Sequence, residues 1–173
     1  VSRVRKINTA GIVSTIVGSG PAGDPGDGTP GSSARINSIA GLAYSGSNLY
    51  IAVQDIVQYA NKPSRTHRIR VVDSSGIIHA DVGGGIGDGG PALNALFNTN
   101  NLAVLRNSAG RSDLYVSDTA NNSIRKIDLQ TGIITTLASG LNTPNDVAID
   151  GQNNIYISDT GNNKIQKIDG RTG

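Results

Sequence analysis

The chain has 173 residues, of which 36% are hydrophobic and only 3% aromatic, and its 15 Lys and Arg against 13 Asp and Glu give a net charge of +2. So little aromatic bulk excludes a large conventional core, although stacked small sheets rich in Val, Ile and Gly need less. The absence of cysteine excludes disulfides and thiolate metal sites and leaves the redox compartment open.

Taken in chain order, Ser2-Arg-Val-Arg-Lys-Ile7 reads as the end of one strand and Ile12-Val-Ser-Thr-Ile-Val17 as the next, so residues 1–17 close a preceding unit. Residues 36–82 hold four strands, over Asn37–Tyr44, Asn48–Val53, His67–Val72 and Ile77–Val82, with an inserted loop at 54–66. Residues 98–138 repeat the set in a more compact form. Residues 142–173 supply three strands and end at Asp169-Gly-Arg-Thr-Gly173, which aligns with the turn Asp128-Leu-Gln-Thr-Gly132 ahead of a fourth strand. No run of about 18 apolar residues, basic-plus-apolar leader or lipidation signal occurs, so neither a membrane span nor a signal peptide is expected within these residues. Abundant Ser, Thr, Asn and Gly with few charges lean toward an extracellular or cell-surface setting.

One phrase is repeated: Asp118-Thr-Ala-Asn-Asn-Ser-Ile-Arg-Lys-Ile-Asp128 recurs as Asp159-Thr-Gly-Asn-Asn-Lys-Ile-Gln-Lys-Ile-Asp169. A fixed period of about 40 residues built from short strands is the signature of a propeller blade. The flanking segments extend the match, Asp113-Leu-Tyr-Val-Ser-Asp118 with Asn154-Ile-Tyr-Ile-Ser-Asp159, and Asn142-Thr-Pro-Asn-Asp-Val-Ala-Ile149 upstream. Together these residues resemble the NHL-repeat β-propeller family, most cleanly over 98–169. Val53 departs from the pattern, standing where the loop aspartate belongs. The resemblance implies an all-β fold of four-stranded antiparallel blades, with about three blades' worth of sequence forming part of a six-bladed ring.

A closed propeller takes about four to eight blades. Two expectations follow: the chain is an excerpt of a longer protein, or two chains close one ring. In the second case strand 12–17 of one copy supplies the fourth strand after Gly173 of the other, with two-fold symmetry.

In an antiparallel four-stranded blade, the connections from strand two to three and from strand four to the next blade share one end. The long segments 18–35, 54–66 and 83–97 all belong to that end, which makes it the candidate binding face. Its candidate contact residues are Tyr59, Lys62 and Arg65 in the inserted loop, with Asp27 and Asp88 between blades. The expected partner is protein, either another copy or a different subunit.

Other chemistries fit less well. Gly18-Ser-Gly20-Pro-Ala-Gly23 and Gly85-Ile-Gly87-Asp-Gly-Gly90 match a dinucleotide-binding spacing, but prolines interrupt both and a strand follows where a helix is required, so no cofactor is expected. Gly26-Asp27-Gly28-Thr29-Pro30 and Gly87-Asp88-Gly89-Gly90-Pro91 read instead as one repeated inter-blade turn. Asp24, Asp27, Asp88, Asp118 and Asp159 lack the ligand series that calcium needs, and no metal is expected. Asp118 with Asn121 and Asn122, and Asp159 with Asn162 and Asn163, read as structural turns, which is also the role the resemblance implies.

His67 and His79 stand without a second ligand at metal spacing, so no catalytic residue is assigned. The alternative enzyme, a lyase or lactonase-like propeller, would need its active-site residues outside these 173. Arg3, Arg5, Lys6, Arg68, Arg70, Arg125, Lys126, Lys164 and Lys167 crowd the third strands and read as a solvated rim. Single-stranded RNA binding is the further alternative, and it lacks the aromatic platforms such binding uses, so nucleic acid is not the expected partner. Asn121-Asn-Ser123 is a glycosylation acceptor sequence.

Overall fold

A computed structural model of the chain describes residues 2–18, 27–34, 36, 38–59, 62–82, 88–92, 99–106 and 110–170. Four antiparallel sheets follow one another along the sequence. The first is a hairpin of β1 (Val4–Ile7) and β2 (Val13–Val17). The second contains β3 (Thr29–Pro30), β4 (Ser38–Ser45), β5 (Asn48–Tyr59), β6 (Lys62–Val72) and β7 (Ile77–Val82), in the spatial order β3-β7-β6-β5-β4. The third runs in sequence order through β8 (Thr99–Arg106), β9 (Ser112–Asp118), β10 (Ser123–Asp128) and β11 (Ile133–Ala138). The fourth holds β12 (Pro144–Ile149), β13 (Ile155–Asp159) and β14 (Lys164–Ile168).

These are propeller blades, and the side-chain alternation of a strand shows how they stack. Along β5, Ile51 and Val53 pack with Val4, Val17, Val72 and Ile78 toward the first sheet, while Tyr50 and Ala52 pack with Leu102, Leu114 and Val116 toward the third. Along β9, Leu114 and Val116 face back, and Tyr115 joins Ile124, Val147, Ile155 and Ile157 toward the fourth. The core is therefore three inter-sheet layers. Each fully buried Val, Ile or Leu in them contributes on the order of 1.5–3 kcal/mol, so small aliphatic residues suffice without aromatic bulk. Tyr50 and Tyr115 are the aromatic exceptions, at 6% and 4% exposure.

The turn between the second and third strands follows from its residues. Asp118 and Asp159 each precede a single 3-10 turn that ends at Asn122 and Asn163, both in the left-handed region at φ 52°. Asn is the non-glycine residue that tolerates this region best. In the repeated inter-blade segment, Gly28 and Gly89 take φ of 81° and 77°. The rest of the two glycine-rich stretches, 19–26 and 83–87, lies outside the described residues, as does Asp24.

Two expectations are corrected. Residues 54–66 are mainly an extension of the blade, not a loop: β5 and β6 pair without a break from Leu49↔Val72 to Tyr59↔Lys62. Antiparallel pairing satisfies the backbone groups that an irregular insertion would leave to water, and Ile56 and Val57 suit a strand. The third-strand cations are not one solvated row either. Arg70 is 1% exposed and Arg125 7%. A carboxylate from an inter-blade segment neutralises each, and burial is tolerable on that condition alone.

Candidate functional site

The cross-strand register gathers the elaborated parts of the chain at one end of the sheets. Ser38 pairs with Gln54, Thr99 with Asp118, and Pro144 with Asp159. The starts of the first strands thus lie beside the turns that link the second and third. The long β5–β6 hairpin rises from this same end, with Tyr59 and Lys62 as its last described pair and Ile56 opposite Arg65. Tyr59, Lys62 and Arg65 thereby sit together on one projecting hairpin, a backbone relationship fixed by register.

Beside the hairpin lies a ladder of amide and carboxylate groups at equivalent positions of successive blades. Asn100 Nδ2 donates to Asn145 Oδ1 at 2.9 Å, and Asn101 Nδ2 donates to Asp146 Oδ1. Ser117 Oγ, 3.0 Å from Asn101 O and 3.2 Å from Asn145 O, ties both strands to β9. Gly41 occupies the matching place in the second sheet, where a Cβ would come within 3.0 Å of Asn101 Cα. Asn100, Asn145 and Asp146 are exposed, so this face presents hydrogen-bonding groups to solvent.

Beneath the face are the buried charges. Arg70 Nη2 donates to Asp27 Oδ1 at 2.5 Å and Arg70 Nε to His79 O at 3.1 Å. Arg125, at the equivalent position, reaches Asp88 through Nη2 and Asp118 Oδ2 through Nη1 at 3.4 Å. Burial works against the Asp88 charge, but the Thr136 hydroxyl and the Arg125 guanidinium outweigh it and hold the carboxyl below its usual range. Asp118, fully buried, also accepts from Asn121 Nδ2 at 2.9 and 3.0 Å. The fourth sheet has Gln166 in place of arginine, and it donates to Asp159 Oδ2 at 2.7 Å. Asp159 accepts as well from Asn162 Nδ2 at 2.8 Å and the Asn142 N–H at 2.7 Å, bonds that lower its pKa in that order of importance.

Asp27 and Asp88, read from sequence as contact residues, each pair with a buried arginine. Asn121, the acceptor of a glycosylation sequence, commits its Nδ2 to Asp118. His67 Nε2 lies 3.2 Å from Gln54 Nε2, and His79 Nε2 lies 2.9 Å from Asp73 Oδ2. Among the described residues no group of three or more His, Asp or Glu is placed to hold a metal ion. No described helix is long and apolar enough to cross a membrane.

Sequence reading missed the arginine latches, although a signal was present. The two blades with arginine are each preceded by Gly-Asp-Gly; the blade with Gln166 is preceded by Ala138-Ser-Gly-Leu141, which has no aspartate.

Comparison with known proteins agrees with this geometry. Residues 141–168 match the NHL repeat family. No curated protein matches the chain. Among solved structures, an auxiliary nutrient binding protein from Bacteroides ovatus ATCC 8483 is similar with a TM-score of 0.51 at 16% identity, over 94% of this chain and 57% of that one. The chain thus spans little more than half the length of that protein, and the likeness is one of fold. The molecule is an all-β stack of propeller blades that includes an NHL repeat.

Proposed function

We propose that this chain is a non-catalytic propeller scaffold that binds a protein partner through the face carrying the β5–β6 hairpin, in an extracellular or cell-surface protein. The observation that carries the reading is the hairpin itself. It continues the blade's second and third strands to Tyr59 and Lys62, whereas β9 and β10 end at Asp118 and Ser123. A projecting, backbone-paired arm next to a polar ladder offers both reach and hydrogen-bonding specificity.

A further observation favours a protein partner over nucleic acid. Arg70 and Arg125 are buried against carboxylates, which withdraws them from any phosphate backbone and disfavours the nucleic-acid reading. The extracellular setting rests on composition.

The test replaces residues 55–66 with Asn-Gly, a two-residue hairpin turn. Intact and trimmed chains are immobilised, the proteins retained from the native source are compared by quantitative mass spectrometry, and each candidate is then purified and titrated against both. A partner whose affinity falls at least about tenfold on trimming supports the reading. Equal retention and equal affinity for both chains would overturn it.

A further inference from the structure

The second sheet differs from its neighbours in where its first strand stops. β8 accompanies β9 to Asp118 and β12 accompanies β13 to Asp159, the last residue of each second strand. β4 leaves β5 at the pair Ser38↔Gln54, while β5 runs on against β6 to Tyr59↔Lys62. On the far side, β7 reaches β6 only as far as Val82↔Ile69. The arm beyond is two strands wide, and among the described residues nothing pairs with the outer side of Asp55–Tyr59 or of Lys62–Arg68. Just ahead of β4, Ile36 is 1% exposed and packed with Val4, Val17 and Val53, so the approach to β4 comes from between the sheets and not along the arm.

The two edges of the arm carry opposite kinds of sequence. β6 contributes Lys62, Pro63 and Arg65. Proline brings no N–H to an edge, and lysine and proline are the residues by which exposed edges are kept from pairing. β5 contributes Asp55-Ile-Val-Gln-Tyr59, with neither lysine nor proline and with Ile, Val and Tyr favouring extended backbone. One edge is thus guarded, and the other is left receptive over about 17 Å at about 3.4 Å per residue. The receptive edge lies on the β4 side of the sheet. That is also the side of the amide ladder, because Gly41 of β4 abuts Asn101. A strand laid along Asp55–Tyr59 would run down toward the exposed Asn100 and Asn145.

We propose that the arm captures an extended segment of its protein partner by strand addition, the segment's backbone N–H and C=O groups completing the β5 edge over Asp55–Tyr59. This rests on the reading of the hairpin as the partner-binding element, and it adds the mode of binding and the class of ligand. The ligand is a short extended stretch free of proline, rich in β-branched or aromatic residues and recognised mainly through its main chain. Asp55 favours a lysine or arginine at the position opposite it. A helix or a folded convex surface offers no free row of backbone groups and does not fit.

A displayed library of random heptapeptides, selected on the intact chain, tests the proposal, with amide hydrogen exchange followed residue by residue by NMR. In the free chain, the Asp55–Tyr59 amides that point away from β6 should exchange as fast as unstructured ones. Enriched peptides should lack proline and slow exchange at those amides. They should bind the chain trimmed at residues 55–66 at least about tenfold more weakly, and lose at least about tenfold when their interior amides are N-methylated. Protection of those amides in the free chain would overturn the proposal, since the edge would already be filled. So would a library that yields no binder, or peptides that keep their affinity when N-methylated. The broader reading is decided separately: equal retention of source proteins by intact and trimmed chains defeats it, whereas loss on trimming without strand addition defeats this inference alone.

Discussion

Asp27 and Arg70 meet at 2.5 Å across 43 positions of sequence, joining the segment that leads into the second sheet to the third strand of that sheet. The guanidinium is 1% exposed and the carboxylate 55%. The pair therefore couples a buried cation to a half-solvated anion. Its main effect is to make burial of Arg70 tolerable; the attraction itself is weakened by water.

Removing only the anion should therefore cost more than removing both partners. Asp27→Ala is expected to destabilise the chain by about 2 kcal/mol, a figure set below the usual range for a broken buried pair because Asp27 is half exposed. Adding Arg70→Met, which refills the space with apolar atoms, should recover most of that loss. Urea unfolding of both variants checks the sign of the coupling.

Asp118 sits at 0% exposure and serves Asn121 and Arg125 together. Asp118→Ala strips acceptors from two donors and leaves Arg125 with Asp88 as its remaining named carboxylate; the expected loss is about 3 kcal/mol. Asp118→Asn keeps an acceptor and should lose less. Equal losses in denaturant melts of the two variants would show that charge matters little there.

Gly41 leaves room for the neighbouring blade. A Cβ would stand 2.7 Å from Asn101 Oδ1 and 3.0 Å from its Cα, and the backbone atom cannot swing away. Gly41→Ala is expected to cost about 1–3 kcal/mol through overpacking, whereas Gly151→Ala, with open space around its Cβ position, should change little. Paired thermal melts compare them.

Acid should weaken the fold through its turn aspartates. The Asn154 side chain first, with the Asn154 and Gln152 amides and the Tyr156 hydroxyl, lowers the Asp150 pKa from 3.8 to about 2, and Asp159 is lowered too. A folded value below the unfolded one means that the unfolded chain binds more protons in between. The stabilisation is thus complete above the unfolded value and is lost as pH falls toward 2. Denaturant midpoints should decline over that interval, and Asp150→Asn should decline less steeply while starting lower.

The repeat period and the Asp-Thr-x-Asn-Asn turns were legible because each is local: Asn122 and Asn163 take their left-handed geometry from residues within a few positions. What escaped was non-local. Arg70 and Arg125 read as surface cations, since the carboxylates that bury them arrive from segments 43 and 37 positions away. The hairpin escaped for a different reason. Lys62-Pro-Ser-Arg-Thr66 has little strand character of its own, and pairing with Asp55–Tyr59 overrides that weak preference.

The pairing of Thr29 with Ile78 and of Pro91 with Ile133 ties the segments that lead into the second and third sheets to the last strands of those sheets. During synthesis the second sheet therefore cannot close until β7, its last strand, has left the ribosome. A cut at the hairpin tip would leave two pieces that each hold one edge of the same sheet. The second blade is in this sense a clasp, able to keep a nicked chain together by backbone pairing across the break.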